Sequence, residues 1–129
     1  MYIIFIKKLL TLLLTLLLFF TSTIAFAGVS FVDSFDISKQ EIGSRGLAFN
    51  TDGTKMFVVG AAGDDVNEYT LTTGFDVSTA SFVDSFDVSS QDTDPRGLAF
   101  NTDGTKMFVV GNIGDDVNEY TLTTGFDVS

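Results

Sequence analysis

The stretch Arg45–Gly60, RGLAFNTDGTKMFVVG, returns unchanged as Arg96–Gly111. In each copy two apolar runs flank Asn-Thr-Asp-Gly-Thr (50–54 in the first). Asp-Gly between such runs marks a hairpin, because glycine supplies the positive φ that the tight turn demands. The run before the turn, Gly46 to Asn50, sets Leu47 and Phe49 on one face and Ala48 on the other. The run after it, Lys55 to Val59, is apolar on both faces, with Met56 and Val58 opposed to Phe57 and Val59. Gly60 to Asp64 breaks the chain, and Val66 to Leu71 reads as a third, more polar strand. After a longer connection over Thr72 to Ala80, Phe82 to Val88 reads as a fourth.

Working outward, residues 30–78 align with 81–129 at an offset of 51 without a gap, and 41 of the 49 positions are identical. A period near 50 points to stacked supersecondary units rather than one globular core. A sandwich would alternate inside and outside in every strand. Here the first two strands are apolar on both faces and the last two are amphipathic or edge-like, which suits a small sheet stacked between similar sheets. The expected fold is all-β: four-stranded antiparallel meander blades of a β-propeller, two blades per chain, behind an N-terminal signal helix. The expected divisions are residues 1–27 as a secretory signal, 28–78 as the first repeat and 79–129 as the second.

The run RGLAFNTDGTKMFVVG, followed by an acidic loop and Asn-Glu-Tyr-Thr-Leu, resembles the YVTN/NHL-type β-propeller repeats. The resemblance spans both copies. It implies the propeller fold, and it leaves open a range of roles, among them lactonase, carbohydrate binder and protein scaffold, because fold does not fix chemistry. Two units also depart from the 4–8 blades usual for a propeller.

Lys7 and Lys8 precede the apolar run Leu9–Phe20, then Thr21-Ser22-Thr23 and Ala25-Phe26-Ala27. This is the layout of a secretory signal with a small-x-small cleavage site, so the expected mature chain starts at Gly28 and is secreted, periplasmic or at the cell surface. A spanning helix would want about 20 apolar residues, and no membrane contact is expected after cleavage. Cysteine is absent, which excludes lipid attachment at the cleavage site.

The 102 residues from Gly28 carry all 17 acidic side chains against five basic ones, a formal charge of −12. Such a surface repels phosphate, so nucleic acid is excluded as a partner. Without Cys or His, the usual zinc, haem and iron–sulfur sites and the Ser-His-Asp and Cys-His nucleophiles are excluded too. Asp64 and Asp65, with Asp115 and Asp116 in the second copy, are the candidate calcium ligands. No EF-hand-like spacing accompanies them, and solvated turns are the preferred reading, so no cofactor is expected. Glu68 and Glu119 are lone carboxylates, expected on a solvated strand face rather than as half of a glycosidase pair. Arg45 and Arg96 stand before the innermost strands, where they either fasten neighbouring units through an Asp or ring a pore.

Eight aligned pairs differ between the copies. Apart from Ile37/Val88, they fall within 39–44/90–95 and at 61–62/112–113. In a meander those two connections emerge on one rim, and the opposite loops are identical. This directs ligand binding, of a glycan or a protein, to the 38–45/89–96 and 60–65/111–116 loops. Lys39, Glu41, Arg45, Asp64 and Asp65 are the candidate contacts in the first copy. Asp92, Asp94, Arg96, Asn112, Asp115 and Asp116 are those in the second. The alternative is a fragment of a larger propeller enzyme of lactonase or lyase type, using Ca2+ and rim carboxylates. Phe31 to Ile37 reads as an orphan fourth strand ahead of the first unit. Two blades cannot close a ring, so a homo-oligomer is expected, a trimer giving six blades, with each orphan strand completing a neighbour.

Overall fold

The computed structural model describes residues 28–129. Residues 1–27, expected to be a secretory signal with a helix, lie outside the described residues. Those described are all-β apart from one 3₁₀ turn, Val77–Thr79, and form two antiparallel sheets. The first contains β1 (Ser44–Phe49), β2 (Lys55–Gly60), β3 (Asp65–Leu71) and β4 (Ala80–Asp87), in that spatial order. The second contains β5 (Pro95–Phe100), β6 (Lys106–Gly111) and β7 (Val117–Thr121).

The register repeats between the sheets. Leu47 pairs with Val58 and Ala48 with Phe57, as Leu98 pairs with Val109 and Ala99 with Phe108. Each hairpin turn is fixed by its own side chains: Asp52 accepts from the Thr54 amide at 3.0 Å, and the Lys55 amide donates to Asn50 at 2.9 Å. Gly53 has φ +74°, and a Cβ there would strike the Phe75 ring, so glycine is required twice over. Phe75 itself sits at φ 61° and Phe126 at φ 57°. That left-handed backbone costs a bulky residue about 1–3 kcal/mol. It is offset locally, since the Phe75 amide donates to Gly53 at 3.0 Å while the ring covers the turn.

The sheets meet face to face. Phe57, Val59 and Val66 of the first pack with Met107, Val109 and Leu122 of the second, together with Val88 and Val128. Fully burying each such side chain contributes roughly 1.5–3 kcal/mol. The rings stack as tilted pairs, Phe57 to Phe100 at 4.5 Å and Phe100 to Phe126 at 5.4 Å. Along this seam β1 and β5 come close: a Cβ on Gly46 would lie 3.0 Å from the Arg96 carbonyl oxygen and 3.2 Å from the Gly97 Cα.

The far face of the first sheet has its own cluster, Met56, Val58, Tyr69, Leu71 and Ala80, with Phe35 and Ile37 laid on it. Phe31 to Ile37, expected as a strand, forms no ladder. Strand backbone is held by a partner edge, and none reaches this segment among the described residues. Two of its side chains, Phe35 and Ile37, are nevertheless seated. The Phe35 ring meets Tyr69 edge-on at 5.7 Å, as Phe86 meets Tyr120 at 5.4 Å one repeat later.

Candidate functional site

Antiparallel order sends alternate connections to opposite ends of each sheet. β1 starts, β2 ends, β3 starts and β4 ends on one side, so the loops around 38–44, 60–65, 88–95 and 111–116 gather there. The Ala61 amide donates to the Gly43 carbonyl at 3.2 Å, and the Asn112 amide to the Asp94 carbonyl at 3.1 Å. The Val88 amide reaches the Asp64 carbonyl at 2.9 Å. These bonds draw each fourth-to-first connection against the neighbouring second-to-third connection.

The candidate residues on this rim divide by accessibility. Glu41 and Asp92 are buried, at 2% and 1% exposure. The Glu41 carboxylate accepts from the Gly43 and Ala62 amides, and Asp92 accepts from the Asp94 amide at 2.7 Å. A Cβ on Gly60 would collide with Glu41, and one on Gly111 with Asp92, so both glycines make room for a carboxylate. Both acids are therefore placed as loop fasteners beneath the rim. The signal for this was the glycine that closes each second strand.

Asp94 is shared between the repeats. It pairs with Arg45 of the first sheet and, at 2.9 Å, with Arg96 of the second. The Arg96 hydrogen bond, then the two guanidinium charges, holds its carboxyl below the usual carboxylate range. Of the two roles open to the arginines, this geometry is that of a fastener. Gly43 stands at the matching position of the first copy and can form no such bridge.

Asp64 and Asp115 adopt φ of 53° and 55°, a conformation Asp tolerates in turns. The Asn67 side chain donates to Asp65 at 2.7 Å, and that of Asn118 to Asp116 at 3.0 Å. Partial burial raises the Asp65 carboxyl, with the nearby charges of Glu41, Asp87 and Asp64 adding to it. Among the described residues no three His, Cys, Asp or Glu side chains converge in a way that would hold a metal ion. Outward the rim exposes Lys39, Ile42, Arg45, Arg96, Asn112 and Ile113, together with the carboxylates of Asp115 and Asp116.

One cross-repeat site escaped the sequence reading. Glu68 is 1% exposed, which overturns its expected place on a solvated face, whereas Glu119 is exposed. Glu68 accepts from the Lys55 ammonium at 2.6 Å and from the Val128 amide at 3.0 Å. The same ammonium donates to the Phe126 carbonyl at 2.6 Å. Lys55 and Glu68 thus clamp the 126–128 segment of the second repeat onto the first. On the far face of the first sheet, burial pushes the Tyr69 hydroxyl up to about 12, with the charges of Asp65 and Glu41 adding to the effect.

The described residues also form concavities. A groove of about 220 Å³ runs between Phe86, Tyr120 and Val128. In the first repeat the equivalent space is closed by Ala80 and Phe82, the latter meeting Tyr69 at 5.8 Å. A cleft of about 360 Å³ lies over Leu47, Met56 and Val58 on the far face of the first sheet. No family model, curated protein or solved structure matches the chain.

Proposed function

We propose that the chain is a secreted β-propeller module of the YVTN/NHL kind. Each sheet is one blade, and the module binds a glycan or protein ligand on the rim formed by the 38–45/89–96 and 60–65/111–116 loops, without chemistry or metal of its own. The observation that carries this reading is where the two copies differ. Seven of their eight differences lie in those loops, at one end of both sheets. The loops at the opposite end, 50–54 and 72–78, are identical to their counterparts. Loops held on a rigid scaffold are where binding specificity diverges. The rim side chains suit the role: Ile42 and Ile113 are apolar and exposed, and Lys39, Arg45, Arg96 and Asn112 supply donors around them.

The test is a glycan array together with capture of extracellular proteins, comparing the unaltered protein with N112A/I113A and with T51A. Asn112 and Ile113 are exposed, so their loss should leave the fold intact while abolishing capture at least tenfold. T51A, on the opposite end, should bind as before. Equal losses in both variants would contradict a single binding rim.

A further inference from the structure

The two sheets are joined by a face that each repeat carries in full, so each also carries one half that the other repeat does not use. Inside the chain, Phe57, Val59 and Val66 of the first repeat are 0% exposed because they lie against the second. Their counterparts in the second repeat are uncovered: Val110 is 44% exposed, Val117 65%, and Phe108 is half-buried. Conversely, Leu98, Met107 and Val109 are seated on the first repeat, whereas Leu47, Met56 and Val58 line an open cleft. The open face of the second repeat and the open face of the first are thus copies of two surfaces that already fit one another.

We propose that these faces join head to tail between two copies of this chain, reproducing the internal seam. The polar clamp has both halves ready. Lys106 pairs with Glu119 as Lys55 pairs with Glu68, but Glu119 lies open. Phe75 and Val77 stand where Phe126 and Val128 stand. The Phe75 carbonyl of a second copy meets Lys106, and its Val77 amide meets Glu119. Phe108 enters the cleft over Leu47, the place its counterpart Phe57 takes over Leu98.

A strand is added at the same time. β7 presents an outer edge with no partner among the described residues. In the first sheet that edge is filled by β4, whose FVDSFD (Phe82–Asp87) is repeated letter for letter as Phe31–Asp36. The register of β3 with β4 pairs Val66 with Phe86, Asn67 with Ser85 and Glu68 with Asp84. The same register pairs Val117 with Phe35, Asn118 with Ser34 and Glu119 with Asp33 of the second copy. Phe35 and Ile37 already rest on their own first sheet as Phe86 and Val88 rest on the second, so the C-terminal end of the segment is held in place while Phe31 and Val32 stand exposed. Main-chain bonding along such an edge is β-augmentation. The association is independent of what the rim binds.

The chain contains no cysteine, which makes engineered cross-links unambiguous. The full chain is prepared as S34C alone, as N118C alone, and with N67C/S85C as the internal reference for this register. Under mild oxidation N67C/S85C closes within one chain. A mixture of S34C and N118C should give a cross-linked product of two chains, with each variant alone remaining uncross-linked. V117D in the N118C partner should reduce that product at least tenfold while leaving thermal unfolding of the dilute protein unchanged. The proposal is overturned if the reference closes and the mixture yields no product, as when another molecule or nothing covers the face. Cross-linking of S34C or N118C with itself, the mark of a two-fold contact, overturns it equally.

Discussion

Glu68 and Glu119 occupy the same position in two copies of Val-Asn-Glu-Tyr-Thr-Leu, yet one is sealed and the other open. The difference lies in what covers them, since Glu68 alone receives the Val128 amide. Removing a buried, paired charge leaves its partners unsatisfied and costs about 3–5 kcal/mol, whereas an exposed pair is worth about 0–1 kcal/mol. Glu68→Ala is therefore expected to destabilise the fold by about 3 kcal/mol, and Glu119→Ala by under about 1 kcal/mol, in dilute denaturant titrations. Equal costs would contradict the clamp. No local pattern distinguishes the two glutamates. Glu41 and Asp92 show the same limit: their loops read as a solvated rim, and only the glycines opposite them, Gly60 and Gly111, carried the sign of a carboxylate turned inward.

At the scale of elements, the strands were legible because hairpin and alternation agree. Asp52-Gly53 between two apolar runs admits one reading, and the observed β2, Lys55–Gly60, departs from the expected Lys55–Val59 by a single residue. The all-β class followed, as did the antiparallel order of the strands, while the second sheet has three strands among the described residues. Phe31 to Ile37 did not follow, because its sequence is that of β4 while its partner edge is not in reach, and a ladder belongs to two segments. The face that each strand buries was legible only as a pair of apolar stripes. Phe57 and Phe108 test this assignment. Phe57→Ala removes a ring from the centre of the seam and is expected to cost about 3–5 kcal/mol. Phe108→Ala, on the open face, should cost less than half as much when unfolding is followed by circular dichroism on the dilute protein. The reverse ranking would mean that the two sheets do not stack as described.

At the scale of the whole molecule, a repeat with two unlike faces joins end to end, and such heterologous contacts close into a ring when the rotation permits and otherwise continue as a filament. The exposed apolar side chains at the two ends, Leu47 on one and Val110 and Val117 on the other, are the reason to expect one of these rather than a free protomer. The measurement that tests this most directly is the mass of the purified protein by light scattering across a concentration series. The account predicts particles of two or more chains that dissociate only on dilution. A soluble, folded monomer persisting at every concentration would contradict it.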